Sequence, residues 1–323
     1  MRVLVTGATG FVGEALLERL VQRGYSVTAL VRETADVSRL MSFDIEVVGG
    51  DIRDLDAVRT SARGCDHVYH LAAATSWRKP PAREYRMVNV EGTANVARAS
   101  LEAGVERLIY ASTVGVYGPC RGRVDESTIT HPDSAYRETK LCGEKVALSW
   151  HGKGLPVVIA RLSTIYGPGS LRWLGFASAL SAGRARLIGS GENHVHDVYI
   201  SDAVDGLQRC AEAERVAGRC YILAGSAPIA LDRLVEVFAR VLKVDPPTDR
   251  FPAAPFFALR RLSSAAYRVF GLDSPLSRKF DLFLDDRVFS ISRARGELGY
   301  APRTSMEDGV RETIEWYREE GYL

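Results

Sequence analysis

Two side chains near the middle of the sequence have the types and the spacing required for proton transfer. Tyr136 and Lys140 lie four residues apart in a stretch that predicts a helix over 136–149, so their side chains share one helix face. A free phenol has a pKa of about 10, too high for proton exchange at neutral pH, and a neighbouring ammonium favours the phenolate. The pair therefore predicts a general acid/base centred on Tyr136. An ordinary surface pair is the competing interpretation.

A glycine-rich run at the N-terminus predicts a dinucleotide site. A short β-rich run, 3–5, leads into the sequence TGATGFVG at 6–13 and then into a helical stretch. A strand that turns sharply into a helix presents free N–H groups and the positive end of the helix dipole to a pyrophosphate. Gly7 permits the tight turn, Gly10 lets a phosphate approach the backbone, and Gly13 lets the helix pack closely on the strand. The strand–glycine–helix context favours this interpretation over a mere tight turn.

The elements that must position these groups alternate between short β-rich runs and amphipathic helices. Strands are predicted at 3–5, 26–31, 46–48, 67–70, 107–111 and 157–161, and helices at 14–23, 55–62, 85–103 and 136–149. This alternation implies parallel strands joined by crossover helices. We therefore predict an α/β fold: a Rossmann-type, doubly wound parallel sheet over 1–170, with a smaller C-terminal α/β substrate-binding cap over 171–323. Residues 197–227 are expected to return to the main sheet. In the cap, helices are predicted at 171–182, 231–242 and 306–319.

Several motifs in the first 170 residues resemble the extended short-chain dehydrogenases/reductases, also called the NAD-dependent epimerase/dehydratase family. The first is the TGxxGxxG spacing, and the others follow in the order typical of that family. The motifs are TGATGFVG at 6–13, GDIRD at 50–54, HLAA at 70–73, VNVEGT at 88–93, YASTVGVYG at 110–118 and YRETK at 136–140. The resemblance implies a nicotinamide cofactor and an enzyme that moves hydride.

The resemblance also implies roles for individual residues. Thr113 would hydrogen-bond the same substrate oxygen as Tyr136, and Lys140 would also hold the nicotinamide ribose. Ser112 is easily confused with Thr113, but counting back from the VYG run at 116–118 selects Thr113. The residues implied in cofactor binding are Gly7, Thr9, Gly10, Phe11, Val12, Gly13, Arg32, Asp51, Ile52, Leu71, Ala72, Ala73, Asn89, Tyr136 and Lys140.

The residue that follows the second predicted strand bears on the choice between NAD and NADP. An acidic residue there accepts hydrogen bonds from a ribose 2′-hydroxyl and repels a 2′-phosphate. This sequence has Arg32 instead, whose guanidinium can pair with the phosphate and stack on adenine. In related reductases that prefer NADP, an arginine occupies this position. We therefore predict NADP(H), with NAD as the alternative; a solvated loop arginine is the competing interpretation.

The substrate class is indicated by departures from subgroup patterns. Sugar-nucleotide dehydratases follow the catalytic threonine with an Asp-Glu pair, whereas here the next residues are VG, so dehydration is not predicted. Nucleotide-sugar enzymes usually bind the substrate diphosphate with an asparagine and an arginine, at positions occupied here by Thr164 and His196. A diphosphate needs such donors to replace its lost hydration. Arg184 or Arg287 could substitute for them.

The C-terminal third resembles the 3β-hydroxysteroid dehydrogenase and dihydroflavonol reductase-like branch, in the runs 188–193, 274–278 and 286–300. Between these runs lies an apolar, arginine-bearing stretch over 255–270. It is compatible with a pocket for a hydrophobic substrate, with contact to a membrane surface, or with an ordinary core helix of the cap.

Three functions follow from these patterns. The first is an NADP-dependent oxidoreductase that interconverts a secondary alcohol and a ketone on a bulky apolar substrate, such as a steroid, terpenoid or flavonoid. The second is a nucleotide-sugar 4-epimerase with a tightly bound cofactor, which would turn over without net change of NADPH. The third is a cofactor-sensing binding protein, which would need a damaged active site, yet Thr113, Tyr136 and Lys140 are all present.

Composition excludes several other classes of protein. Lys and Arg number 42 against 40 Asp and Glu, and this net charge of +2 gives no field that would favour nucleic acid. The cysteines, at 65, 120, 142, 210 and 220, form no CxxC pair and no metal-ligand pattern. The short β-rich run at the N-terminus, which leads straight into glycines, is not the pattern of a signal peptide, and no apolar run is long enough to span a membrane, so we expect neither feature. We expect a cytoplasmic protein with a small-molecule substrate and no metal, and by resemblance a homodimer.

Overall fold

Short apolar runs form a parallel sheet at the centre of the computed structural model, which describes residues 1–75, 81–119, 122–270 and 280–323. Its seven strands, in chain order, are β1 (Arg2–Thr6), β2 (Ser26–Val31), β3 (Glu46–Gly49), β4 (His67–His70), β5 (Arg107–Thr113), β6 (Val157–Leu162) and β7 (Cys220–Leu223). Their spatial order is β7-β6-β5-β4-β1-β2-β3, and every pairing is parallel. This order reverses between β1 and β4, as in dinucleotide-binding sheets, where ligands bind at the carboxyl ends of the strands. The predicted α/β, doubly wound fold is confirmed.

Helices cover the two faces of the sheet and build the cap. They are α1 (Phe11–Gln22), α2 (Leu55–Ala62), α3 (Ala82–Arg86), α4 (Thr93–Glu102), α5 (Ala135–His151), α6 (Leu174–Ser181), α7 (Ile200–Glu212), α8 (Leu231–Leu242), α9 (Ala254–Phe270), α10 (Asp281–Leu284), α11 (Ser292–Leu298) and α12 (Met306–Glu319). A π-helical turn, Met87–Gly92, joins α3 to α4, so the single helix predicted over 85–103 has an irregular turn inside it. Short 3₁₀ turns lie at Leu40–Ser42 and Val114–Tyr117.

Four two-stranded pairs connect distant parts of the chain. They are Arg123–Val124 with Val288–Phe289, Ile165–Tyr166 with Val198–Tyr199, Leu187–Ile188 with Arg250–Phe251, and His194–Val195 with Ile229–Ala230. Strand β7 lies at the sheet edge beside β6, within the range that was expected to return to the sheet. The division at residue 170 itself stays a prediction.

The core explains why these runs form strands. Val3, Leu4 and Val5 are fully buried in β1, because a parallel strand covered by helices on both faces needs apolar residues at successive positions. The cap has its own aromatic centre, where the rings of Trp173, Phe176 and Phe238 lie 5.3–5.9 Å apart.

The last helix is attached to the loop that follows β6. The Tyr317 hydroxyl donates to the Ser170 carbonyl oxygen at 2.7 Å and accepts from the Trp173 amide at 3.2 Å. Packing of α12 therefore fixes the position of residues 170–173, of which Ser170, Leu171 and Arg172 line the site described below.

Helix α9 covers the apolar stretch at 255–270, for which the sequence allowed three interpretations. None of its described side chains is fully buried, and Leu262, Val269 and Phe270 are each at least 70% exposed, so it is not a core helix of the cap. Among the described residues, no helix is long and apolar enough to cross a membrane. The run at 274–278 and Cys120 lie outside the described residues.

Candidate active site

The glycine loop between β1 and α1 has the geometry that an anion-binding turn requires. Gly7 has a φ of +75°, and the Gly10 amide donates to the Gly7 carbonyl at 3.1 Å to close the turn. Helix α1 begins at Phe11 without a side-chain cap, so its first N–H groups stay available to a pyrophosphate. A Cβ at Gly13 would lie 2.2 Å from the Gly7 carbonyl oxygen, which excludes any other residue there.

A cavity of about 580 Å³ extends from this loop across the carboxyl ends of β4, β5 and β6. It brings together most of the residues singled out from the sequence: Gly7, Gly10, Phe11, Val12, Gly13, Leu71, Ala73, Thr113, Tyr136 and Lys140. It is also lined by residues not predicted: Thr75, Ala111, Ser112, Leu162, Ser163, Thr164, Ile165, Gly169, Ser170, Leu171 and Arg172. The predicted residues that do not line it are Thr9, Arg32, Asp51, Ile52, Ala72 and Asn89. The loop, the free helix N-terminus and the cavity fit a dinucleotide cofactor.

Lys140 is anchored beneath the cavity by the sheet. Its side chain is almost fully buried, its Nζ donates to the Ala111 carbonyl oxygen at 2.7 Å, and the ammonium lies 4.2 Å from the centre of the Tyr110 ring. Burial lowers the pKa of Lys140 to about 7, although the carboxylate of Glu144, one helical turn later, acts in the opposite direction. The lysine is thus held in one position before any ligand binds.

Tyr136 differs from the sequence-based expectation in its ionisation. Burial raises its pKa to about 12, the charge of the adjacent Arg137 acts in the opposite direction, and Tyr85 raises the pKa further. The lowering expected from Lys140 is not found in the protein alone: burial is the largest effect, the charge that opposes it is that of Arg137, and the Lys140 ammonium is bound by the Ala111 carbonyl. Tyr136 is a neutral phenol at pH 7 and can donate a proton.

The structure separates the neighbouring hydroxyls of Ser112 and Thr113. Both residues line the cavity, but the Ser112 hydroxyl is engaged by the protein, because it donates to Glu144 Oε1 at 2.5 Å. Thr113 lines the cavity at the end of β5, where its oxygen accepts from the Gly115 amide at 3.0 Å. With one lone pair occupied by Gly115, the Thr113 hydroxyl proton can be directed to a substrate oxygen.

Glu144 is the centre of a buried network that sequence reasoning missed. Arg161 on β6 donates to both of its carboxylate oxygens, at 3.0 and 2.7 Å, and also to the Tyr117 hydroxyl at 2.7 Å. Such bidentate, charge-assisted pairs are among the stronger polar contacts. The network ties α5 to β5 and β6 below Lys140. The sequence feature that could have indicated this network is the spacing of four residues between Lys140 and Glu144.

Asn89 holds the loop after β4 against α5 rather than lining the cavity. Its side chain accepts from the Ala74 amide at 2.8 Å and donates to the Ala74 carbonyl at 3.1 Å and to Thr139 at 3.1 Å. It sits in the π-helical turn Met87–Gly92, a type of irregularity that is frequent at functional sites. Asn89 therefore positions the cavity walls.

The adenine side of the expected site is formed by charged residues at the ends of β2 and β3. Arg32 is exposed directly after β2. Burial alone would raise the pKa of Asp51, but the hydrogen bonds and charge of Arg53, with the charge of Arg32, lower it. Asp51 is bound by Arg53, whose Nε and Nη2 lie 3.0 and 2.8 Å from its oxygens. Ile52 is buried, and a Cβ at Gly92 would lie 2.7 Å from its Cδ1 atom.

The residues considered as donors to a substrate diphosphate lie in different environments. His196 is buried and structural, because its ring contacts the Gly225 carbonyl at 3.0 Å and the Phe289 amide at 3.1 Å. Burial lowers its pKa to about 4, so it is neutral at pH 7. Arg184 is exposed and does not line the cavity. Arg287 reaches Thr164, which does line it, at 3.5 Å.

The buried ammonium of Lys140 gives a testable pH dependence of stability. Its pKa is about 7 in the folded protein and returns to about 10.5 on unfolding. Between these values the unfolded chain binds the additional proton, so the free energy of unfolding rises with pH, by up to about 1.4 kcal/mol per pH unit. Urea denaturation from about pH 7 to about pH 10 should show this slope as the difference between the wild type and Lys140→Met. Parallel pH profiles for the two proteins would contradict the lowered pKa of the buried lysine.

Comparison with known proteins identifies the family. Residues 3–224 match the model of the NAD dependent epimerase/dehydratase family. The chain is 30% identical to a 2-alkyl-3-oxoalkanoate reductase of Stenotrophomonas maltophilia, over 96% of this chain and 98% of that protein. It is 28% identical to a 3beta-hydroxysteroid-dehydrogenase/decarboxylase of Arabidopsis thaliana, over 97% of this chain and 61% of that protein.

Solved structures agree with this result. The crystal structure of gox2253 superposes with a TM-score of 0.83 at 30% identity, over 99% of both chains. The UDP-glucuronic acid 4-epimerase of Bacillus cereus, in complex with NAD, superposes with a TM-score of 0.80 over the whole of both chains, and at 22% identity it shows the fold alone. The chain therefore belongs to the NAD-dependent epimerase/dehydratase family, the extended short-chain dehydrogenases/reductases, as an NAD(P)-dependent oxidoreductase that acts on an alcohol or a ketone.

Proposed function

We propose that the protein is an NADP-dependent oxidoreductase that interconverts a secondary alcohol and a ketone on a bulky, largely apolar substrate. The observation that carries this proposal is the single cavity in which Thr113, Tyr136 and Lys140 lie beside the glycine loop. Beyond these residues the wall continues with the apolar side chains of Leu162, Ile165 and Leu171.

Each residue of the cavity has a separate role in the reaction. The nicotinamide supplies or accepts the hydride when it is bound. Tyr136 donates a proton to the developing alkoxide in reduction and takes it back in oxidation, and Thr113 hydrogen-bonds the same oxygen. Lys140, held by Ala111, would hold the cofactor ribose. Because the phenol is neutral in the free protein, its resting state is prepared for reduction of a ketone.

The names of the relatives support an apolar substrate. One is a 2-alkyl-3-oxoalkanoate reductase, and another, from Stigmatella aurantiaca, is a ketoreductase of a farnesyl-bearing dihydroquinoline oxide at 28% identity over 96% of this chain. The Arabidopsis relative is named for a steroid. These names give an alkyl chain, a farnesyl chain and a steroid as parts of the molecules acted on, and each names a reductase or a dehydrogenase.

The test follows reduced-nicotinamide absorbance with a panel of hydrophobic ketones: a 3-oxosteroid, a dihydroflavonol and a long-chain 3-oxo ester. The expected result is consumption of NADPH with at least one of them. UDP-glucose and UDP-glucuronic acid are assayed in parallel for epimerised product. Turnover of a nucleotide sugar without net change of NADPH, and none of the ketones, would establish the 4-epimerase alternative instead.

The 4-epimerase remains the second candidate because Arg172 and Arg287 give the cavity region cationic groups. Neither lies at the position where nucleotide-sugar enzymes usually place their donors, which ranks this candidate below the first. The homodimer and the cytoplasmic location stay predictions, to be checked by light scattering and by fractionation.

Arg32 is expected to give the preference for NADPH over NADH. Replacing it with serine removes a charge-assisted contact to the 2′-phosphate, worth about 1.5–3 kcal/mol, and should raise KM for NADPH by about 10- to 100-fold. KM for NADH should change little, because NADH lacks that phosphate. Arg233→Ser on α8 is the control for loss of an exposed arginine outside the predicted cofactor site. A wild type that prefers NADH would overturn the assignment.

A further inference from the structure

Arg172 follows the loop after β6 and lines the cavity with Thr113 and Tyr136. Its amide donates to the Ser170 hydroxyl at 3.3 Å, and its guanidinium lies 5.1 Å from the centre of the Trp173 ring. Because Tyr317 holds the backbone of Ser170 and Trp173, the backbone of Arg172 between them is fixed in place. The side chain keeps 23% of its surface exposed, which is compatible with contact to a ligand.

The guanidinium is poorly satisfied inside the protein. Its Nε is buried and has no hydrogen-bond partner among the described residues. The closest carboxylate is that of Asp197, at 4.0 Å from Nε, and both oxygens of that buried carboxylate also lack a described partner. Asp197 therefore balances the charge of Arg172 without accepting a hydrogen bond from it. The buried Nε has no surface that a ligand could reach, but the two terminal nitrogens of the guanidinium are not buried and make no hydrogen bond to a described residue, so they are available to an acceptor on a ligand.

Other arginines of similar burial are bound differently. Arg137 reaches Asp133 at 2.6 Å and Asp281 at 2.7 Å, and Arg161 binds Glu144 with two hydrogen bonds. These guanidiniums donate their hydrogen bonds to carboxylates of the protein itself. Arg172 combines a place on the cavity wall with a guanidinium that no described carboxylate reaches at hydrogen-bond distance.

We propose that Arg172 binds a carboxylate of the substrate, so that the preferred substrate is an apolar hydroxy acid or oxo acid. This inference rests on the proposed function and adds an anionic group to its substrate. One guanidinium matches one carboxylate, because its planar fork offers two parallel N–H donors to the two oxygens. A diphosphate carries more charge and more acceptors than a single arginine can satisfy beside Leu162, Ile165 and Leu171.

The test compares matched acids and esters in the oxidation direction, because 3-oxo acids lose carbon dioxide in solution whereas hydroxy acids are stable. Long-chain 3-, 4- and 5-hydroxy acids and their methyl esters are oxidised with NADP⁺ by the wild type, Arg172→Gln and Arg172→Lys. For one acid of the series, the wild type should show a kcat/KM about 100-fold above that of its ester. Arg172→Gln should lose this preference, so that its ratio of kcat/KM for acid to that for ester falls to about one, and Arg172→Lys should be intermediate.

The ratio of acid to ester does not depend on how much of a variant is folded, so it remains informative if Arg172→Gln is unstable. Arg184→Gln is the matched control, an exposed arginine of the same region, and should keep the wild-type ratio. Equal use of acids and esters by the wild type would overturn the inference while leaving the proposed function intact.

Two further outcomes identify a different anion. If Arg172→Gln raises KM for NADP⁺ by the same factor for acids and esters, the arginine binds the cofactor phosphate and the inference is wrong. If calorimetry shows that the wild type binds UDP-glucose and Arg172→Gln does not, the anion is a diphosphate. Absence of turnover with every acid and every ester would refute the proposed function and this inference together.

Discussion

Tyr136→Phe should reduce kcat by about 10²- to 10⁴-fold while NADPH binds as tightly as before. The variant lacks only the phenolic oxygen that donates the proton, and a positioned acid/base of this kind contributes about that factor to the rate. The ring stays in place, because its packing against the Tyr85 ring, 6.3 Å between centroids, does not involve the hydroxyl. The measurements are kcat from reduced-nicotinamide absorbance and the Kd of NADPH from fluorescence titration.

Tyr25→Phe is the control for loss of a phenol elsewhere in the molecule. Its hydroxyl bonds Glu212 at 3.1 Å on the surface, and its loss should change kcat by less than about twofold. Retention of wild-type turnover by Tyr136→Phe would refute the role given to Tyr136. A weakened NADPH complex with unchanged kcat would make Tyr136 a binding residue instead.

Gly7→Ala should remove cofactor binding and destabilise the fold, whereas Gly24→Ala should do neither to a comparable extent. The two glycines have nearly the same backbone conformation, with φ of +75° and +76°. A Cβ at Gly24 meets no atom within 4 Å, but a Cβ at Gly7 would lie 2.6 Å from the Ala72 amide nitrogen. The shared conformational cost is about 1–2 kcal/mol, and the overlap at Gly7 adds about 1–3 kcal/mol because backbone must move.

The displacement also affects the anion site, because the loop N–H groups move with Gly7. A misplacement of about 1 Å can cost about 100-fold, and we expect a loss of NADPH affinity of that size in Gly7→Ala. Urea denaturation and NADPH titration of both variants measure the two effects. Equal stability and equal NADPH affinity of Gly7→Ala and Gly24→Ala would show that the contact with Ala72 does not matter.

The part of the site that the sequence predicts is the part that depends on local spacing. The glycines at 7, 10 and 13 lie within one turn between a strand and a helix, and Tyr136 and Lys140 lie on one helical turn. Their proximity follows from backbone geometry alone. The fold is likewise predictable, because strands alternate with helices over the first 170 residues. The π-helical turn at Asn89 was not foreseen, since no simple periodicity encodes it.

The rest of the site depends on burial and on contacts between distant segments. The pKa of Tyr136 moves opposite to the expected direction because burial, which spacing does not report, outweighs a nearby charge. Glu144 and Arg161 meet across α5 and β6, and Arg172 is separated from the Asp197 that balances it by α6 and two short strands. No local pattern marks Arg172, since its place on the cavity wall and the lack of a close acceptor for its guanidinium depend on the tertiary structure.

The pairing of β7 with β6 has a consequence for synthesis of the chain. Strand β6 is fully buried along its length, and the strand that covers its outer edge, Cys220–Leu223, comes only after α6 and α7. While the ribosome makes the intervening segment, β6 has an unpaired apolar edge, which is a template for aggregation. The nascent protein therefore needs protection, from a chaperone or from rapid elongation, between the release of residue 162 and the release of residue 223.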